Sequence, residues 1–106
     1  MKGDLLKGNL DLLLLTVLRE GPMHGYAIIE ALRRRSEGAF QLPEGTIYPA
    51  LHRLEEAGFL ASRWSEVSGR RRREYELSGA GREAMKARQQ EWQAFTGAVN
   101  LVLGAV

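Results

Sequence analysis

The sequence predicts a mainly α-helical chain with one small β-hairpin and a long C-terminal helix. Three observations carry this prediction. Apolar residues recur at helical spacing in three early segments, two strand-like segments flank a turn of Val67, Ser68 and Gly69, and the last segment carries an apolar seam. With 106 residues, 44% of them hydrophobic and 26% charged, the chain has the size and composition of one globular domain.

The first predicted helix begins at Asn9, a residue type that caps helices, and ends before Gly21 and Pro22. Its apolar residues fall on one helical face: Leu10, Leu13, Leu14, Val17 and Leu18. Leu12 and Leu15 lie off that face, which indicates that another element covers a second side of this helix.

Two further helices and a short strand are predicted next. One helix runs from about His24 to Arg35, and a brief strand is predicted over Phe40–Leu42, before Pro43. The third helix follows, with four apolar residues on its inner face: Ile47, Ala50, Leu51 and Leu54. Four polar or aromatic residues point away from that face: Thr46, Tyr48, His52 and Arg53. Pro49 breaks the rule against proline inside a helix, and nothing in the sequence explains it.

A basic hairpin is predicted after Gly58. Strands over Leu60–Glu66 and Arg72–Leu77 are joined by a turn of Val67, Ser68 and Gly69. Four consecutive arginines, Arg70–Arg73, occupy the tip and the returning strand. An isolated run of charges usually only faces water, but a run at a hairpin tip favours a binding role.

The last predicted helix starts at Ser78 as its N-cap, and its first turn is expected to fray because it contains Gly79 and Gly81. From Met85 onward its apolar residues form a heptad-like seam: Met85, Trp92, Phe95, Val99, Val102 and Val106. We therefore divide the chain into a domain over residues 1–78 and a C-terminal helix over residues 79–106.

Several classes of protein are disfavoured. The chain has no cysteine and only two histidines, so neither a disulfide nor a metal site is expected. There is no nucleophile motif, phosphate loop or paired carboxylate, so we expect neither an enzyme nor a cofactor. The expected location is the cytoplasm, because neither a signal peptide nor an apolar run long enough for a membrane span is present.

Three helices followed by a basic hairpin predict a winged helix-turn-helix, in which the third helix enters the major groove of DNA. Arginines at the hairpin tip suit phosphate oxygens, because the guanidinium is planar and permanently charged. A winged helix that binds another protein instead of DNA is the alternative. That alternative requires apolar anchors on the outer face of the third helix, where this chain has mainly polar residues.

Three stretches of the sequence resemble the PadR-like family of bacterial transcriptional regulators. They are Gly-Pro-Met-His-Gly-Tyr over 21–26, Gly-Thr-Ile-Tyr-Pro-Ala-Leu-His-Arg-Leu-Glu over 45–55, and Gly-Arg-Arg over 69–71 running into Tyr75 and Leu77. Ser78 departs from the family pattern, in which threonine is frequent. The resemblance implies a homodimeric repressor of the shorter layout, with a single C-terminal dimerisation helix.

Carried onto this chain, the resemblance implies a recognition helix over Glu44–Gly58, with Thr46, Tyr48, His52 and Arg53 as candidate DNA contacts. The wing candidates are Arg70, Arg71 and Arg72. Tyr48 has a second interpretation, in which its ring packs against the neighbouring helix.

The seam and the first helix supply the candidate dimer contacts, which are Leu12, Leu15, Trp92, Phe95, Val99 and Val102. The resemblance further implies that Trp92 lies near the dimer centre, where some short relatives accept flat hydrophobic compounds. Trp92 is therefore either a binding residue for a small hydrophobic or aromatic effector, or an ordinary part of the interface core with Phe95.

Overall fold

The structure is a computed structural model that describes residues 3–104 of the chain. A 3-10 turn over Leu18–Glu20 follows the first helix. The helices are α1 (Gly3–Val17), α2 (Gly25–Arg35), α3 (Glu44–Glu56) and α4 (Gly79–Leu103), and the strands are β1 (Met23–His24), β2 (Leu60–Val67) and β3 (Arg70–Leu77). The predicted order of helices and hairpin is confirmed.

One hydrophobic core joins all four helices and the sheet. Its most deeply buried large side chains come from α1 to α3, the 3-10 turn and β3: Leu14, Leu15, Leu18, Ile28, Ile47, Leu51, Leu54 and Tyr75. Met85 of α4 belongs to the same cluster, so the first part of α4 shares the core of the preceding elements. This shared core fixes the angle at which α4 leaves the rest of the chain.

The sheet has three antiparallel strands in the order β1-β3-β2. The β2–β3 hairpin is longer than predicted, because Val67 pairs with Arg70 and only Ser68 and Gly69 remain in the turn. Both turn residues have positive φ, 53° and 77°, as a two-residue type I′ turn requires. The basic tip is therefore a tight, well-paired hairpin end.

The predicted strand over Phe40–Leu42 is wrong. The third strand is instead Met23–His24, which pairs with Tyr75 and Glu74 along the free edge of β3. Phe40 is held in a different way, since its backbone N–H donates to Ser36 Oγ at 2.9 Å. A strand exists only where a neighbour pairs with it, and Phe40–Leu42 pairs with no strand of the sheet.

The predicted start of α1 at Asn9 is also wrong, because the helix begins at Gly3. The Asn9 amide nitrogen donates to the Leu5 carbonyl at 2.8 Å, so this side chain caps nothing.

The start of α4 is well anchored, and the fraying expected there is not observed. Ser78 caps the helix as predicted: its Oγ accepts from Gly81 N–H at 3.0 Å and donates to the Gly58 carbonyl at 2.6 Å. Gly81 is buried against the Phe59 backbone, where an added Cβ would overlap the carbonyl oxygen. Glycine is thus required here for close packing.

The far part of α4 differs from its start. Trp92, Phe95 and Leu101–Leu103 are exposed, and Val102 reaches 87% exposure. Val106, the last predicted member of the seam, lies outside the described residues. Within residues 3–104, no helix is both long enough and apolar enough to cross a membrane.

Candidate nucleic-acid interface

The outer face of α3 carries most of the predicted recognition residues. Thr46, His52 and Arg53 are exposed, whereas the apolar face of the helix lies in the core. Pro49 lies on the exposed side, and α3 continues past it to Glu56. The backbone acceptor that Pro49 leaves without a helical donor is the Gly45 carbonyl, which lies on the same outer side of α3. The proline is tolerated because this site faces solvent.

Tyr48 has a structural partner in α2. Its half-buried ring lies over Gly25, at a point where any Cβ on residue 25 would overlap the ring. Burial raises the pKa of Tyr48, with a smaller contribution from the charge of Glu44. Of the two interpretations left open by the sequence, packing against the neighbouring helix describes the ring. The contact fixes the angle between the two helices of the helix-turn-helix.

Tyr26 at the start of α2 is a surface residue that sequence reasoning missed. Its side chain is 62% exposed, and the nearby Glu44 carboxylate at the start of α3 raises its pKa. The signal was present, because Tyr26 ends the Gly-Pro-Met-His-Gly-Tyr stretch. Tyr26 thus adds an exposed phenol to the surface near the starts of α2 and α3.

The wing and the helix-turn-helix form one concave surface. A cleft of about 410 Å³ lies between the start of α2, α3 and β3. Its lining residues are His24, Gly25, Tyr26, Tyr48 and the four arginines Arg70–Arg73. The predicted wing residues Arg70, Arg71 and Arg72 are therefore brought together with Tyr48, but Thr46, His52 and Arg53 lie outside this cleft.

Two of the wing arginines are tied to the body of the domain. Arg72 Nη1 lies 3.0 Å from His24 Nε2, and Arg73 Nη2 lies 3.7 Å from a Glu55 oxygen. The His24 Nδ1 atom also faces Ala27 N–H at 3.4 Å, as the N-cap of α2. A neutral imidazole accepts at only one nitrogen, so these two bonds to His24 exclude each other, and the shorter one favours Arg72. The root of the wing is thereby tied to the start of α2.

Arg53 is held by a carboxylate on α1. Its Nη2 lies 2.8 Å from an Asp11 oxygen, and Arg88 of α4 lies 3.7 Å from the other Asp11 oxygen. Asp11 therefore joins α3 and α4 through opposite charges. The Arg53 side chain stays 60% exposed, which limits the strength of the pair through screening by solvent.

The predicted dimer residues fall into two groups. Leu15 is fully buried in the core of its own chain, so its assignment to the interface is wrong. Leu15 belongs to the one hydrophobic cluster that the helices and the sheet share. Leu12 and Val99 are half-buried, whereas Trp92, Phe95 and Val102 are exposed.

Trp92 lines an apolar groove between α1 and α4. The groove has a volume of about 360 Å³ and is lined by Leu5, Leu6, Asn9, Leu12, Leu13, Phe40 and Trp92. The Trp92 and Phe95 rings lie 6.2 Å apart between centroids and are tilted by 41°.

Within residues 3–104, no group of three or more His, Cys, Asp or Glu side chains is placed to hold a metal ion.

A helix-turn-helix that shares one exposed cleft with an arginine-rich hairpin defines a winged-helix protein of the DNA-binding kind. The model of the PadR-like family of transcriptional regulators matches residues 14–87. The chain belongs to this family and is a DNA-binding transcriptional regulator.

Relatives and solved structures agree with this assignment. The transcriptional regulator Rv3488 of Mycobacterium tuberculosis is 39% identical over 66 residues, which cover 62% of this chain and 59% of that protein. A transcriptional regulator from Clostridium thermocellum has a TM-score of 0.86 at 30% identity, covering 92% of this chain and 96% of the other. A PadR family regulator from Eggerthella lenta has a TM-score of 0.83 at 30% identity, and the match covers 94% of this chain and 86% of the other. This chain thus shares its winged-helix fold and long C-terminal helix with solved structures of transcriptional regulators.

Proposed function

We propose that the chain is a repressor that binds an inverted-repeat operator as a homodimer. The single observation that carries the proposal is the cleft in which Tyr48 of α3 and Arg70–Arg73 of the wing face the same space. A recognition helix beside a cationic hairpin suits a DNA groove flanked by phosphates.

In this proposal α3 reads the major groove and the wing binds the backbone. Thr46 and His52 are exposed on α3 and carry hydrogen-bonding groups suited to base edges. Tyr48 reaches the edge of the groove while its ring holds α2, and Arg53 binds phosphate when it leaves Asp11. Arg70 and Arg71 bind phosphates at the tip, and Arg72 does so at the root of the wing.

The proposed dimer is built on the far part of α4. An exposed apolar surface formed by Trp92, Phe95 and Leu101–Leu103 is costly in water, and a symmetry-related copy of the helix would cover it. A twofold dimer presents two recognition helices, which suits an inverted repeat. A protein-binding module without a DNA role is disfavoured, because the outer face of α3 offers it mainly polar residues.

The test is selection of bound duplexes from a random-sequence pool, followed by footprinting. We expect an inverted repeat whose half-site centres are about 34 Å apart, or a multiple of that distance. A promoter that carries the selected site should lose transcription when the protein is present. Protection of one asymmetric half-site by a monomer, or increased transcription, contradicts the proposal.

Release by a small aromatic effector is the second part of the proposal, and the groove beside Trp92 favours it. An indole face stacks on planar compounds, and the lining is mostly apolar. Planar cationic dyes should quench tryptophan fluorescence in the wild type and in Trp64→Ala, but much less in Trp92→Ala. They should also weaken operator binding, because a ligand that favours another dimer geometry shifts the helix spacing. If the quenching depends on Trp64 instead, Trp92 is not a ligand-binding residue but an ordinary part of the interface core.

A further inference from the structure

Trp64 is a large aromatic residue on the wing that the proposed function does not use. It lies in β2, and its side chain is 56% exposed. An exposed tryptophan is unusual for a residue that normally contributes buried area. It lies neither in the core nor in the apolar groove beside Trp92, so packing of the chain does not account for it.

Two wing arginines stack on this ring. In the β2–β3 register Arg73 lies directly opposite Trp64, and Arg71 is its diagonal neighbour on the same face. The guanidinium carbon of Arg71 lies 4.7 Å from a Trp64 ring centroid, and that of Arg73 lies 5.4 Å from it. Both distances fall within the range of cation–π attraction.

The groups that contact these arginines differ in how much charge and how many N–H donors they leave available for DNA. Arg53 and Arg73 are close to carboxylates, which neutralise charge and occupy N–H donors. Arg71 makes no ion pair with any of the described residues, although Glu66 lies opposite it in the register. An aromatic face orders the guanidinium through its flat side, so its full charge and the donors along its edge stay available.

We propose that Trp64 is a positioning residue that holds Arg71 ready for a DNA phosphate. The inference rests on the proposed function, because it assumes that the wing binds DNA. Arg73 stays with Glu55 and forms the inner neighbour of the stack, while Arg71 faces outward at the wing tip. The ring lowers the conformational freedom that Arg71 loses on binding, without competing with phosphate for its donors.

The variant that tests this is Trp64→Leu, which keeps an apolar side chain but removes the aromatic face. Trp64→Phe is the conservative variant, and Val67→Ala is the matched control. Val67 is also exposed on β2 but lies on the other face of the hairpin, opposite Arg70. An exposed cation–π contact predicts a loss of about two- to fivefold in affinity per wing, or about four- to 25-fold for the two wings of the proposed dimer, in Trp64→Leu. Trp64→Phe should recover most of the affinity, and Val67→Ala should change nothing.

A double-mutant cycle separates positioning from a general loss of structure. Trp64→Leu should weaken binding in the wild-type background and have no effect when Arg71→Ala is already present. Equal weakening in both backgrounds overturns the inference. If Arg71→Ala alone leaves the affinity and its salt dependence unchanged, the proposed phosphate contact at the wing tip fails, and the positioning role fails with it.

Fluorescence supplies a readout that does not depend on DNA. The chain has two tryptophans, so Trp92→Phe leaves Trp64 as the only one. Adding Arg71→Ala to this variant should shift the Trp64 emission of the free protein, because the ring loses the nearer of its two stacked cations. Unchanged emission means that the stack is absent in solution and overturns the inference.

Discussion

The cleft and the far part of α4 are opposite in character. The cleft is lined by tyrosines and arginines whose positions are fixed within one chain, through Gly25, His24 and Glu55. The part of α4 from Trp92 onward is apolar and exposed, and its last residues contact little of their own chain.

This difference separates two tasks. Because the cleft is assembled within one chain, a partner is not needed for its shape. The end of α4 is left uncovered in the single chain, and the proposed dimer would cover it. In the proposed dimer, α4 therefore sets the distance between two DNA-binding surfaces that are already formed.

The largest expected effect is that of Val102→Asp. Val102 is 87% exposed in the single chain, so the substitution should leave the monomer folded. In the proposed dimer it places a charge in an apolar contact from both copies, at a total cost of about 2 to 4 kcal/mol, or 30- to 1000-fold in dissociation constant. Sedimentation velocity measures the shift to monomer. An unaltered dimer mass places the interface away from the end of α4.

A substitution at the start of α4 should act on the fold instead. Gly81→Ala places a Cβ against the Phe59 carbonyl, and we expect it to lower the free energy of unfolding by about 1 to 3 kcal/mol. Gly79→Ala is the control, because nothing lies within 4 Å of its added Cβ, and it should stabilise the helix by about 0.5 to 1 kcal/mol. Thermal unfolding distinguishes the two. Equal midpoints would show that the Gly81 contact is not tight.

On the cleft side, Arg70→Ala should reduce the salt dependence of DNA binding. In the proposed dimer the substitution removes one arginine–phosphate pair from each copy. The magnitude of the slope of log affinity against log salt should therefore fall by about 0.9 per copy, or about 1.8 in all, with the selected sequence unchanged. Arg63→Ala on the same hairpin is the control, since Arg63 faces Glu74 at 3.7 Å and lies outside the cleft. If the salt dependence falls by the same amount in both variants, the experiment reports the loss of any positive charge on the hairpin and not a phosphate contact at the wing tip.

The smallest expected effect concerns Asp11 of α1, which links α3 to the middle of α4. Asp11→Asn removes the charge that faces both Arg53 and Arg88, at a cost to stability of about 1 kcal/mol or less, because the pairs are partly exposed. The freed Arg53 should then raise the operator affinity, because its phosphate contact no longer competes with Asp11. Glu30→Gln, which frees Arg33 on the outside of α2, is the control and should leave the affinity unchanged. A wild-type affinity in Asp11→Asn would argue against a phosphate contact by Arg53.

Local patterns predicted most of the fold, and contacts between distant segments account for the errors. Periodicity located α2, α3 and the hairpin, because their apolar faces repeat within a few residues. It did not locate β1, a two-residue strand that exists only because β3 offers it an edge. Leu15 was misassigned because its cover comes from elements distant in the chain.

The candidate site shows the same limit. Arg70–Arg72 and the outer residues of α3 were identified from the sequence, because charge and helical phase are local properties. Tyr26 and the stack on Trp64 were missed, since each depends on a neighbour that only the folded chain supplies. The close packing at Gly81 was missed for the same reason: the Phe59 backbone that needs a glycine there is remote from the helix in sequence.

The most direct test of the central claim is the affinity of the Val102→Asp monomer for a duplex that carries one half of the selected site. If the cleft is complete within one chain, the folded monomer should bind the half-site with the same affinity and salt slope as the wild type binds it. It should lose only the extra affinity that the wild type shows for the full inverted repeat. A folded monomer that does not bind the half-site would contradict the claim, because the DNA-binding surface would then depend on the partner.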